Sequence, residues 1–154
     1  MRILLLAAAT LFFANPAGIA ANANETPESA WASQPAVTAV IDLSRQRIQI
    51  FQGEYPVYTW KVSTARRGYY TPTGQYKPYR MHKMWHSRKY DWSPMPYSVF
   101  FHKGWAIHGT KAIKRLGRPA SHGCVRLHPK NAKTLYYLIK KTGGMKNARV
   151  VIRK

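Results

Sequence analysis

The chain contains a single cysteine, Cys124, among 154 residues. No internal disulfide can form, so no covalent staple holds distant segments together. The fold must rest on apolar side chains buried by the chain itself, and a domain of this length is large enough to bury such a core. Their spacing favours strands. Val37 to Leu43 is β-branched and aliphatic. From Arg45 to Phe51 the pattern alternates, with Ile48 and Ile50 on one face and Arg47 and Gln49 on the other. Gln52-Gly53-Glu54 supplies a turn, and Tyr55 to Val62 reads as the returning strand. Further strands are expected near Gln75 to Tyr79, at Tyr97 to His102 and at Trp105 to His108, the last two joined at Lys103-Gly104, and at Ala148 to Ile152. One helix is expected. It starts at Pro129, which suits a first helical position. Ala132, Leu135, Tyr136 and Ile139 form its apolar face, and Gly143-Gly144 stops it. The class is mainly β with one main helix.

The ends frame this domain. Met1-Arg2, the apolar run Ile3 to Phe13 and the small residues of Ala21-Asn22-Ala23 read as a secretory signal peptide over residues 1–23, cut after Ala23. An N-terminal membrane anchor is the competing reading, although the run is short for a span. Residues 24–36 are polar, carry Pro27 and Pro35, and read as a flexible leader. The chain is strongly basic, with 25 Lys and Arg against five acids and a formal net charge of +20. Such a charge favours a polyanionic partner. Export argues against nucleic acid, leaving acidic membrane surfaces and wall polymers, and the expected location is the periplasm or cell-wall space of a bacterium.

A lone thiol in an oxidising compartment is a liability unless its chemistry is used. Cys124 lies in Ser121-His122-Gly123-Cys124-Val125-Arg126, with His108 sixteen positions upstream. A thiol attacks as the thiolate, and an imidazole commonly generates one. His108, His122 and His128 compete for that role. His108, at a strand end, is placed to approach across the sheet, and a backbone carbonyl is the expected orienter of its other nitrogen because no acid lies near the motif. Gly123 permits a sharp turn, so the N–H groups of His122, Gly123 and Cys124 are expected to converge on an oxyanion. Two other readings stay open on these residues alone. Cys124 is a small buried hydrophobe, or His108, His122 and Cys124 bind zinc. The scarcity of acids counts against hydrolytic zinc chemistry, which needs a general base.

His108-Gly109-Thr110, a gap, and then Ser121-His122-Gly123-Cys124-Val125-Arg126-Leu127 resembles the signature of the L,D-transpeptidase (YkuD-type) catalytic domain. Supporting runs match in character: Val40 to Gln46, Val62-Ser63-Thr64, Thr71-Pro72-Thr73-Gly74 and Met95-Pro96-Tyr97. Ala65 stands where many relatives have Gly. The resemblance spans nearly all of the chain after the leader, and the catalytic domain is assigned to residues 37–153. It implies a β-sandwich-like fold with the main helix following the cysteine. It implies that Cys124 attacks the carbonyl of the third residue, a diamino acid, of a peptidoglycan tetrapeptide stem and expels D-Ala. His108 moves the proton and the Gly109 carbonyl orients its ring. Ser121, His122, Gly123 and Arg126 shape the site. An amine of a second stem then resolves the thioester to a 3→3 crosslink, or the N-terminus of an envelope protein or water takes its place. Carbapenem acylation of the cysteine is expected, and neither cofactor, metal nor stable membrane anchor is. A zinc-dependent wall peptidase and a noncatalytic basic wall-binding module are the alternatives.

Two segments are expected to serve substrate. Residues 80–96 hold Trp85, Tyr90, Trp92, two histidines, four basic residues, Pro94 and Pro96. They read as a long irregular segment, and such segments are often lids or binding loops. Tyr97 follows directly and joins Trp85 and Trp92 as a candidate substrate contact. The loop from His108 to Ser121 carries Lys111, Lys114, Arg115 and Arg118 and no acid. Lys114 and Arg115 are its candidates for recruiting a carboxylate-rich stem and favouring the thiolate.

Overall fold

The computed structural model describes residues 35–154. The signal peptide at 1–23 and most of the 24–36 leader lie outside the described residues. Two sheets face one another. The larger has strand order β3-β2-β1-β9-β4, from β1 (Val37–Asp42), β2 (Arg47–Gln52), β3 (Tyr55–Lys61), β4 (Gly74–Tyr76) and β9 (Ala148–Arg153). The smaller has order β5-β6-β7-β8, from β5 (Arg80–Ser87), β6 (Ser93–His102), β7 (Trp105–Gly109) and β8 (Val125–Leu127). β1, β2 and β3 form an antiparallel meander, and β9 joins it parallel to β1. The helix α1 (Pro129–Lys141) packs on β6 and β7.

The core follows from strand alternation. Val37, Ala39 and Ile41 on β1, Ile48 and Ile50 on β2, and Ala148, Val150 and Ile152 on β9 all point inward. Val99 and Phe101 on β6, Ile107 on β7, and Val125 and Leu127 on β8 meet them from the other sheet. Ala132, Leu135, Tyr136 and Ile139 of α1 complete the cluster. These four are the apolar face read from the helical spacing, and Pro129 opens the helix as expected.

The smaller sheet has a second face, and the site lies on it. Between the core-facing residues of β6 and β7, Phe100 and Ala106 point the other way. They form a separate small cluster with Met95, against which Trp85 and Cys124 pack.

Residues 80–96 differ from the expectation of an irregular segment. They form an antiparallel ribbon in which β5 pairs with β6 from Arg80↔Phe100 to Ser87↔Ser93. A 3-10 turn at Arg88–Tyr90 makes its tip, and Asp91 and Trp92 reverse the chain there with φ of 46° and 53°. The fourth strand expected, Gln75 to Tyr79, is the three-residue β4 at Gly74–Tyr76. β8 had no counterpart among the expected strands.

Candidate active site

The parallel pair β7–β8 brings the motif residues together. Its register places Ile107 beside Val125 and His108 beside Arg126. Ile107 and Val125 turn into the core, so His108 and Arg126 turn to the opposite face. Cys124, one residue before β8, packs with Ala106 on that face. His108, Cys124, Arg126 and His122 line one cavity of about 590 Å³, walled by the β5–β6 ribbon through Trp85, Tyr90 and Met95. Arg80, Arg88, Lys89, Lys111 and Arg126 bring positive charge to it, and no carboxylate lines it among the described residues.

The three histidines have distinct places. His108 is buried, and its Nδ1 lies 2.8 Å from the Gly109 carbonyl oxygen. That oxygen only accepts, so Nδ1 carries the proton and Nε2 keeps the lone pair. His122 stacks on Tyr90 at the ribbon tip, with ring centroids 4.7 Å apart and planes 20° from parallel. His128 caps α1, its Nδ1 accepting from the Lys130 N–H at 3.2 Å. Only His108 is both in the cavity and held by its second nitrogen.

Burial sets the charge state of the pair. Desolvation lowers the His108 pKa to about 4, against the opposing pull of the Gly109 carbonyl and with help from Arg126. Desolvation also raises the Cys124 thiol above its ordinary value, outweighing the Ala106 backbone amide and the Arg126 charge, which both favour the thiolate. The resting pair is therefore a neutral thiol and a neutral imidazole. Lys114 and Arg115 are the cations expected to favour the thiolate; the charge that acts in that direction is Arg126, and burial prevails over it.

The turn before the nucleophile is tightly held. Ser121 is buried, and its Oγ accepts from the Gly123 N–H at 2.9 Å. The Gly123 carbonyl accepts from Thr71 Oγ1 at 2.8 Å, and the same hydroxyl accepts from the Ala65 N–H at 3.1 Å. Gly123 sits at φ +132°, where a Cβ would lie 2.5 Å from Trp105 Nε1 and 2.9 Å from the Tyr70 carbonyl oxygen. Glycine is thus required on both conformational and steric grounds. The Ser121 contact also corrects one expectation: the Gly123 N–H is committed and does not face an oxyanion, which leaves the N–H groups of His122 and Cys124. Arg126 donates through Nη1 to the Ala120 carbonyl at 3.2 Å, bracing the same turn.

The candidate substrate residues divide. Trp85 lines the cavity. Trp92 does not; it is 65% exposed at the ribbon tip. Tyr97, at φ 53°, leaves the strand alternation and packs on Tyr136 and Tyr137 of α1. Lys114 and Arg115 lie on an exposed 3-10 turn outside the cavity lining, where Lys111 stands instead. The sequence reading had not singled out Arg80 or Thr71. Thr71 was visible only as part of a matching run, and Arg80 only as one of four basic residues. Among the described residues, no group of three His, Cys, Asp or Glu side chains is arranged to hold a metal ion.

Comparisons with known proteins agree with this geometry. Residues 36–152 match the model of the L,D-transpeptidase catalytic domain (YkuD). The structure is similar to that of an L,D-transpeptidase from Stackebrandtia nassauensis at 26% identity and a TM-score of 0.66, covering 77% of this chain and 56% of that one. An L,D-transpeptidase from Xylanimonas cellulosilytica is similar at 25% identity and a TM-score of 0.64, covering 79% and 62%. One from Mycobacterium smegmatis shares the fold at 16% identity and a TM-score of 0.68, covering 78% and 59%. The chain thus spans less than two thirds of the length of these structures. No curated protein matches it in sequence.

Proposed function

The chain belongs to the L,D-transpeptidase catalytic-domain family, and from that premise we propose that it is a cysteine acyltransferase of peptidoglycan stem peptides, acting outside the cytoplasm after removal of residues 1–23. The observation that carries this reading is the shared cavity of Cys124 and a His108 whose Nδ1 is fixed by the Gly109 carbonyl. That arrangement leaves Nε2 as the base.

The starting pair is neutral, so attack and proton transfer are coupled. Cys124 Sγ forms a bond to the carbonyl carbon of the third stem residue while its proton passes to His108 Nε2. The charge that develops on the carbonyl oxygen is met by the N–H groups of His122 and Cys124. Collapse breaks the bond to the terminal D-Ala, and His108 returns the proton to the departing amine. The product is an acyl thioester. An acceptor amine then attacks this thioester, gives its proton to His108, and the thiolate leaves and is reprotonated. A second stem gives a 3→3 crosslink, the N-terminus of an envelope protein gives attachment to the wall, and water gives a carboxypeptidase reaction. The same chemistry predicts that a carbapenem acylates Cys124. The cationic cavity suits a donor rich in carboxylates.

The test is mass spectrometry of products from purified tetrapeptide muropeptides. The parent protein is expected to release D-Ala and give crosslinked dimers, tripeptides or adducts. Cys124→Ala and His108→Ala should each abolish turnover, because nucleophile and base act as one unit. Turnover retained by Cys124→Ala would refute the thiol mechanism.

A further inference from the structure

Arg80 pairs with no anion among the described residues. It begins β5 and lines the same cavity as Cys124. Its guanidinium carbon lies 4.3 Å from the centroid of Phe100 and 4.6 Å from that of Trp85. Its Nε is buried and meets no hydrogen-bond acceptor among the described residues. No carboxylate of the described residues lines the cavity there. Aromatic faces offset part of the desolvation of a guanidinium but supply no acceptor for its N–H groups. The neighbourhood is also close to the chemistry. Phe100 packs with Met95 and Ala106 in the cluster that holds Cys124 and Trp85. His82, two residues on, also has an unpartnered buried Nε2, but it is not among the residues lining the cavity.

We propose that Arg80, packed against Trp85 and Phe100, is the carboxylate-binding residue of the donor site and that its fork receives a carboxylate flanking the scissile carbonyl. This rests on the transpeptidase reading. A planar carboxylate matches the parallel N–H groups of a guanidinium, and the contacts with Trp85 and Phe100 restrict the side chain before the ligand arrives. Two carboxylates flank that carbonyl in a tetrapeptide stem whose third residue is a diaminodicarboxylic acid: the α-carboxylate of the departing D-Ala, and the side-chain carboxylate of the third residue. The chemistry is the same for both, and selective amidation separates them.

The experiment uses four synthetic tetrapeptide donors: unmodified, C-terminal carboxamide, side-chain carboxamide of the diamino acid, and both. Release of the terminal residue is measured as kcat and KM for the parent, Arg80→Met and Arg80→Lys, with alkylation of Cys124 by iodoacetamide as a check on the site. Arg80→Met keeps an apolar stem against Phe100 and Trp85. On the unmodified donor it is expected to raise KM by about tenfold or more, the loss of a charge-assisted pair, with kcat little changed. Arg80→Lys should fall between, having charge without the fork. The difference between parent and variant should vanish on one singly amidated donor, which names the carboxylate, and on the doubly amidated one. An unchanged KM in Arg80→Met overturns the assignment. So does an equal loss on all four donors, which marks a purely structural role. If Arg80→Met does not fold, Arg80→Lys decides by the same pattern: a donor-selective rise in KM supports the assignment and a parental KM overturns it. A parent protein inactive on every donor overturns the transpeptidase reading itself, and this assignment with it.

Discussion

The neutral resting pair predicts an unusual response of Cys124 to pH. The perturbation is titration, read as the rate of alkylation by iodoacetamide, a small uncharged reagent that reacts with the thiolate. Burial raises the thiol above its ordinary 9.0, so less than about 1% is thiolate at pH 7, and the rate should climb about tenfold per pH unit from 6 past 9. Burial lowers His108 to about 4, so only about 0.1% of it is imidazolium at pH 7 and it supplies no charge to hold a thiolate. The sign for turnover follows. His108 is a competent base above its pKa, so kcat/KM should fall as pH drops through about 4 and not near the ordinary histidine value. His108→Gln should leave the midpoint of the alkylation curve almost where it was, since a neutral group replaces a neutral group. A plateau of alkylation between pH 5 and 8 would refute this reasoning, as would a shift of more than a unit in His108→Gln. Either result requires a preformed thiolate–imidazolium pair.

Three further outcomes follow from the site's geometry. Gly123→Ala should lose about 3 kcal/mol of unfolding free energy through backbone strain and the Trp105 and Tyr70 contacts; urea denaturation measures this, and a loss under about 1 kcal/mol would mean the turn relaxes. Trp85→Ala should shift products from crosslinks toward hydrolysis by opening the ribbon side of the cavity to water, whereas Trp92→Ala should leave the ratio unchanged because Trp92 is exposed and does not line the cavity. A double change of Lys114 and Arg115 to Ser should lower the second-order rate on tetrapeptide and flatten its salt dependence, since these exposed cations act at a distance over a screening length of about 8 Å; a parental rate and salt profile would mark them as solvated surface.

Much of this was legible in the sequence where one force dominates. β1, β2 and α1 bury their apolar residues on one side, so their periodicity reports the core directly. His108 and Cys124 were legible through motif spacing, and the β7–β8 register explains why that spacing works. The ribbon of residues 80–96 was not legible as strands. On β5, Arg80 and Trp85 line a cationic cavity, Met81 packs on the core and Met84 is exposed, so apolar and polar residues never alternate cleanly there. β8 is three residues long, too short for any pattern. Tyr97 was read as a substrate contact from its neighbours, but its positive φ turns the ring onto α1. The commitment of the Gly123 N–H to Ser121 depends on a hydroxyl rotamer, which no residue spacing encodes.

The position of β9 has a consequence for how the molecule is made. This strand lies between β1 and β4, pairing Ala148 with Val37 and Ile152 with Ile41. Partners so far apart along the chain must wait for each other, which slows folding. A chain emerging from the ribosome can form the β1–β2–β3 meander early, but the open side of β1 then presents unpaired backbone groups and the apolar side chains of Ala39 and Ile41. The larger sheet cannot close until residues 148–153 have emerged. Order of synthesis thus keeps the nascent domain pliable to its last strand, and a chaperone that shields the β1 edge would hold it in that state.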